Sequence, residues 1–542
     1  MLYLNEIINR INNNQYNMIQ TYLEYYYNRI MEEIDNRHKE NYHGYEKFYT
    51  ANIKNILYLA HINDFDVMGK KDIMVLYNYI INELNKEIDE QVKNINRDEY
   101  LCELYSIAAY QAEFHGRVTM VLNEVNSEYI NINPLESDIL DFVNQHRTCR
   151  HIISSVIASD KNAIQYLIEK CMYTNFEKSQ NNEFTIPIFT NVYLKSLVII
   201  SLIGERDLLI SDLIKEPIVR IREYYLLRNF ENFTDIYKEY NNEISKIVLD
   251  CPKSILSKLS DNLFRTCGFR LDTIEKFISC KSKTIKDEDI INIVDKEVLV
   301  AALCKDANCD VREAGSIVDF FTINSINNQD VFKSIEMSQN RIFEKVFIHM
   351  NLGNIHMYLF SYSLLMYSIE ILKRKLVYNI IPQCKAKNSK IIEKYVKNEL
   401  VKQSSIIFKK YTDKMILNAH KINNSKIGTI ILSNEIDLLV VVNKIMFIVE
   451  CKDIYYKFTP YGFKADIEKT YKFINKMQQK ICSVSKNKEK LEVVFDSKIE
   501  SIRPLIIFKT YNMSINAHFK YDNVEITYLN KLEEWIENNC II

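Results

Sequence analysis

Two short apolar runs, EIDLLVVV (435–442) and IMFIVECK (445–452), are separated only by Asn443 and Lys444. Runs rich in Val and Ile with a two-residue break between them predict the two strands of a hairpin. Strands apolar at successive positions are buried on both faces, so this hairpin needs a covering layer on each side. The fold consistent with that is a layered α/β domain.

Three ionisable residues interrupt these runs: Asp437, Glu450 and Lys452. Placing charge beside buried strands is costly unless something pairs with it. Alternate residues of a strand share a face, which groups Glu435 with Asp437 and Glu450 with Lys452. Pairing across the 443–444 turn brings Asp437 toward Glu450. Two neighbouring carboxylates repel unless a cation lies between them. Oxygen ligands suit Mg²⁺ or Mn²⁺, with the peptide carbonyl of Cys451 as a third donor. Lys452 then supplies positive charge near a phosphate or orients an attacking water.

The flanking sequence reads as helix IIEKYVKNELVKQSSIIFKKY, the strands TIIL, EIDLLVVV and KIMFIVECK, and helix ADIEKTYKFINKMQQKICSV. Strands LEVVF, RPLIIFK and VEITYL and a last helix NKLEEWIENN follow. On the second helix, Ile467, Tyr471, Ile474, Gln478 and Ile481 share an inward face, which puts Gln478 near the strands. Lys469, Lys472, Lys476 and Lys480 form another stripe, suited to tracking phosphates.

The Asp–x12–Glu–x–Lys spacing resembles the PD-(D/E)xK, or restriction-endonuclease-like, nuclease superfamily over residues 388–542. NEIDLLVV is similar to the EIDLI-type first strand of nucleases related to Holliday-junction resolvases, and IVECKD to their second strand. Glu393-x-x-Val396-x-x-x-Leu400 resembles the helix that precedes the hairpin in that superfamily. Ile436 stands where the superfamily's name motif has Pro, as in its EID-type branch. The resemblance implies a metal-dependent nuclease, acting on DNA more than RNA. Asp437 and Glu450 would hold Mg²⁺ or Mn²⁺, Lys452 would act in catalysis, and Glu393, with Glu399 as second choice, would support the metal. It also implies a Gln or Lys from the following helix beside the site, the role given to Gln478. Ribonuclease action, or a degenerate fold that only grips nucleic acid, are the alternatives.

The chain is a multidomain one of 542 residues with only 9 Gly and 7 Pro, which favours helix. Residues 1–285 read as a large all-α module, 286–380 as a helical subdomain ending in the long helix HMYLFSYSLLMYSIEILKRKL, and 388–542 as the α/β domain. PIVRIREYYLLRNF continues the helical reading, and EFTIPIFTNVYL admits a short extended piece; residues 286–322 read as short helices of a compact subdomain, where a helix-turn-helix is possible but a small helical bundle gives the same pattern more often. The 12 Cys include no CxxC pair, which argues against structural zinc and fits a reducing cytoplasm. No signal-peptide pattern opens the chain, and the run YLKSLVIISLIGERDLL meets Glu205, Arg206 and Asp207 too soon to span a bilayer. From Gln383 onward there are 27 Lys+Arg and 18 Asp+Glu, a net of +9; the remainder carries −11. The basic part is where a polyanion would bind. The acidic helical part is the candidate for sensing a protein partner or self-associating, in a setting such as bacterial defence against phage. No Walker-type loop or GxSxG elbow occurs.

Overall fold

The computed structural model describes residues 2–35, 46–124, 133–173, 183–210, 214, 216–229, 251–281, 291–323, 342–352, 355–392, 395, 398–454, 460–516 and 523–540. They form two compact units. The first comprises Met1–Arg206, Glu216–Asn229 and Cys251–Val377, and the second chiefly Tyr378–Ile542. The stretches 1–285 and 286–380 therefore share one unit almost throughout.

The first unit is mostly helical. Its main helices are Leu2–Asp35, Lys70–Val92, Arg97–Leu122, Pro134–Gln145, Arg150–Tyr173 and Ile186–Ile210. Local chemistry sets their ends: the Asn96 side chain accepts from the amides of Asp98 and Glu99, and Asn133 caps a helix that begins on Pro134. The Ile186–Ile210 helix corrects two expectations. It begins where a short extended piece was expected. Its span Ile186–Leu209 is also long and apolar enough to cross a membrane, although 61% of the most apolar window is buried against the fold, as in a core helix.

The all-α expectation is corrected by two three-stranded antiparallel sheets. One joins Phe65–Met68 to the hairpin Ile218–Arg222 and Tyr225–Asn229. That hairpin replaces the helix expected at PIVRIREYYLLRNF. Its alternation of Val219 and Ile221 (buried) with Arg220 (exposed) is a strand period, and Glu223 and Tyr224 turn with φ of 51° and 65°. The other sheet orders Asn292–Asp295, Ile355–Phe360 and Ile348–Leu352 side by side. Residues 355–360 thus form a strand, and the helix expected from His356 starts only at Tyr362.

The second unit carries a five-stranded mixed sheet. In spatial order its strands are Glu525–Tyr528, Ser501–Phe508, Ile445–Lys452, Gly428–Val442 and Met415–Asn424. The three earliest in sequence pair antiparallel; Ser501–Phe508 joins parallel to Ile445–Lys452, and Glu525–Tyr528 parallel to it. Met415–Asn424 was not anticipated: MILNAHKINN is polar and half exposed, as suits an edge strand. LEVVF is a further correction, because Lys488–Phe495 is helical; only Leu491 and Phe495 of it are buried, a helical spacing that its β-branched residues obscured. The helix Pro460–Lys486 packs on the sheet, and Asn398–Lys409 and Leu532–Cys540 contribute Leu400, Val401, Phe408, Leu532 and Ile536 to a core with Val440, Phe447 and Val449.

Phe447 is fully buried and meets Trp535 edge-on at 5.6 Å. Trp535 is the single tryptophan of the chain, so its fluorescence reports on this unit. Phe447→Ala should lower the stability of the unit by about 3–5 kcal/mol, the usual result of emptying a phenylalanine site. The check is the denaturant midpoint followed by tryptophan emission; an unchanged midpoint would refute this account of the core.

Candidate functional site at the open end of the hairpin

The hairpin forms as expected. Val442 pairs with Ile445 across Asn443 and Lys444, whose φ angles of 45° and 68° are those of a type I′ turn. Lys444 tolerates this without being glycine because its surroundings hold it. Its carbonyl accepts from the Glu500 amide at 2.8 Å and its ammonium meets the Glu500 carboxylate at 2.8 Å. The Asn443 side chain donates to the Cys540 carbonyl at 2.7 Å.

From that turn the ladder runs to the pair Leu438–Val449 and ends. Continued by one step, that register sets Asp437 opposite Glu450. There the Asp437 carboxylate replaces a backbone acceptor: its Oδ2 takes the Cys451 amide at 2.8 Å. Asp437 is fully buried and Glu450 is 7% exposed. Both carboxylates raise the pKa of the Cys451 thiol, after burial itself, which together push it up to about 12. The thiol is therefore neutral, and Cys451 can offer oxygen only through its carbonyl. In a strand the N–H and C=O of one residue face the same neighbour, so that carbonyl lies on the Asp437 side.

Glu450 is held between two ammonium groups. Lys452 donates to its Oε2 at 2.7 Å, and Lys480 donates to its Oε1 and to the Glu435 carbonyl. Burial alone would raise the Glu450 pKa; Lys452 and Lys480 outweigh it by charge and hydrogen bonding and leave it below the ordinary value. Lys452 also lies 5.2 Å from the Phe473 ring centre.

Lys480 changes the sequence reading. It is 9% exposed and belongs to the site, not to a solvent-facing stripe. Lys469, Lys472 and Lys476 are exposed. The Lys469 ammonium is held below its ordinary pKa by desolvation and by its neighbours Lys385 and Lys452, so it lies toward the same end of the sheet. Gln478 is half-buried and donates to the Asn523 side chain at 3.3 Å, with no contact to the acids shown. The buried residues Phe463, Ile467, Thr470, Ile474, Met477 and Val484 explain the exchange. After Ile474 the buried face steps to Met477, not to Gln478, and Lys480 lies three residues beyond. A steady alternation of four and three from Phe463 passes through Ile467, Thr470, Ile474 and Met477 to Ile481, so the inward turn of Lys480 is set by packing and not by the period. Glu393 and Val396 lie outside the described residues. Glu399 is exposed and accepts from Gln403 at 3.3 Å.

Among the described residues no group of three or more His, Cys, Asp or Glu side chains is set to hold a metal. The donor set here is smaller: the Asp437 and Glu450 carboxylates with the Cys451 carbonyl. That suits a hard cation which keeps several waters and takes one or two carboxylates. It does not suit zinc, because the sulfur is protonated and no histidine takes part. Comparison of the chain with protein-family models, with curated proteins and with solved structures finds no match.

The charge cluster has a pH signature. A carboxylate whose pKa is lowered by folding adds stability above its unfolded value, and that contribution fades as pH falls toward the folded value. Lys480→Met leaves burial less opposed and raises the Glu450 pKa. The variant should lose about 3 kcal/mol at pH 7, as expected when one partner of a buried pair is removed. The deficit should shrink as pH is lowered toward 4, where Glu450 takes up a proton in the variant. Denaturation midpoints across this range test it, and a deficit independent of pH would exclude the pairing.

Proposed function

We propose that the protein is a Mg²⁺- or Mn²⁺-dependent nuclease that hydrolyses phosphodiester bonds, with DNA as the favoured substrate. The observations that carry this reading are the buried Glu450 held between Lys452 and Lys480, and the buried Asp437 bonded to the amide of the next residue, Cys451, where the hairpin ladder ends. A buried cluster of this kind rarely stabilises a fold more than apolar side chains of equal volume would. Its retention in the most apolar strands fits a chemical role. The sheet, with its antiparallel hairpin extended by parallel strands and flanked by helices, is also compatible with a restriction-endonuclease-like core.

Each residue has a distinct task in this reading. The Cys451 amide fixes one oxygen of the Asp437 carboxylate. Lys480 keeps Glu450 ionised in a buried place and, through the Glu435 carbonyl, ties the strand to the helix. Lys452, partly exposed, faces the substrate and offers its ammonium to a water or a phosphate oxygen. Asp437, Glu450 and the Cys451 carbonyl would hold a divalent ion, which would supply an acidified water and offset charge on the phosphoryl oxygens. Lys469, Lys472 and Lys476 offer phosphate contacts along one face of the same helix. The cellular setting proposed is defence against foreign DNA, with the acidic helical part as sensor or assembly surface; this rests on analogy.

A second reading has one observation in its favour. Both Glu450 oxygens are taken by ammonium groups, as in a domain that only grips nucleic acid. Incubation with plasmid, single-stranded DNA and RNA, each with Mg²⁺, Mn²⁺ or EDTA, separates the two. The nuclease reading expects metal-dependent cleavage, lowered at least 100-fold by Asp437→Asn, Glu450→Gln or Lys452→Ala. Binding without cleavage in every metal supports the second reading, and full activity of all three variants removes the site assignment.

A further inference from the structure

We propose that the helices Leu271–Lys281, Lys296–Ala307 and Val311–Phe321 with the strands Asn292–Asp295, Ile348–Leu352 and Ile355–Phe360 form a winged helix-turn-helix that binds double-stranded DNA, with Val311–Phe321 as the helix that enters the major groove and the last two strands as the wing. The proposal stands apart from the nuclease reading and uses none of its residues.

The topology is the first argument. Along the chain come helix Leu271–Lys281, strand Asn292–Asp295, helices Lys296–Ala307 and Val311–Phe321, then the hairpin Ile348–Leu352 and Ile355–Phe360. The first strand pairs with the last, and the last with the middle one. Helix, strand, two helices across a short turn, and a hairpin whose second strand lies centrally is the order of a winged helix-turn-helix. The turn is three residues, Asn308 to Asp310, with Asn308 left-handed at φ 52° and Asp310 capping the second helix through the Glu313 amide at 2.8 Å. Leu299, Leu303, Ile317, Val318 and Phe321 are buried, the Phe347 ring meets Phe321 at 6.3 Å and Phe360 at 5.7 Å, and the bond from the Phe347 amide to the Phe321 carbonyl (2.9 Å) seats the second helix against the wing.

The outward face of that helix is the second argument. Arg312, Gly315 and Asp319 recur at helical spacing, and Val311 is 69% exposed. A glycine inside a helix costs about 1 kcal/mol against alanine. At Gly315 the fold gives no steric reason for it: a Cβ there would meet nothing within 4 Å. The bare face lets the backbone approach a partner closely. Asp319, the one acid on it, is neutralised by Lys296 at 2.8 Å. A B-form major groove admits an α-helix, and the N-terminal residues of such a helix contact base edges, the place Val311 and Arg312 occupy. The deep, narrow groove of duplex RNA does not admit one.

Charge is the third argument. Residues 251–377 carry 17 Lys+Arg and 16 Asp+Glu, so the acidic surplus of the first unit lies in residues 1–250. On the wing the exposed rings of His349 and His356 stack at 5.2 Å. Partial burial, then His356 and Lys296, holds His349 below its ordinary pKa. An anion placed against His349 would favour its protonated form.

The test uses the full chain carrying Asp437→Asn to prevent cleavage, titrated against one 30-base-pair DNA duplex, the matching RNA duplex and single-stranded DNA. Gly315→Leu fills the bare face without an internal clash and improves helix propensity, so folding is retained. It should weaken duplex DNA binding at least tenfold and leave single-strand binding and thermal midpoint unchanged or the midpoint raised. Arg312→Glu should do the same, and Arg312→Lys should restore affinity. Duplex DNA affinity indifferent to Gly315→Leu and Arg312→Glu, or duplex RNA bound as tightly as duplex DNA, overturns the proposal. A change confined to self-association, read by sedimentation, also overturns it and assigns the face to a protein contact. Cleavage is not a readout, so the nuclease reading can fail without affecting this result.

Discussion

The turn at Asn443–Lys444 sets the register on which the C-terminal sheet and its charges depend. Strand side chains alternate, so a slip of one residue would send Asp437 and Glu450 to the opposite face from their partners. The I′ geometry suits the natural twist of the two strands, and the contacts of Asn443 with Cys540 and of Lys444 with Glu500 hold it. Five consecutive pairs then carry the register from the turn to Leu438–Val449. The parallel strand Ser501–Phe508 fixes the other edge of Ile445–Lys452 along its whole length.

Where the ladder stops, side chains take over from the backbone. Asp437 satisfies the Cys451 amide, and Lys480 reaches from the long helix to the Glu435 carbonyl and Glu450. Helix, first strand and second strand are thus joined by charge-assisted bonds where backbone pairing has ended. The same bonds keep Glu450 ionised despite burial. Structure and proposed chemistry depend here on one set of contacts, so substitutions at Lys480 affect both. Lys452 is the more exposed of the two lysines, which separates a substrate-facing cation from a supporting one.

The first unit solves a different problem. Its long helices bury polar side chains in the core, among them Arg29 with Asp160 and the Tyr22 hydroxyl with His115 at 3.2 Å. Burial takes the His115 pKa down to about 3, so this contact is between neutral groups. Such pairs orient helices whose apolar surfaces alone would allow several packings. Beside them, Asp295 and Asp310 cap the two helices around the three-residue turn that shapes the Val311–Phe321 surface.

Much of this was legible before any coordinates. The low glycine and proline content marked the helical unit, and the hairpin with Asp437, Glu450 and Lys452 could be read from β-branched runs around a two-residue break. These features depend on local propensity and on period, which a sequence displays directly. The strands 218–229 and 355–360 were misread as helix because aromatic and β-branched residues suit both when burial is unknown. Lys480 was misplaced by one step of a helical period, since only packing shows which face turns inward. Tertiary structure alone decided that the ladder opens at Asp437, that Lys480 neutralises Glu450, and that strand 292–295 meets strand 355–360 to complete a three-stranded sheet. Each joins residues 14 to more than 60 positions apart, and such contacts follow from how whole elements pack, which local sequence does not encode.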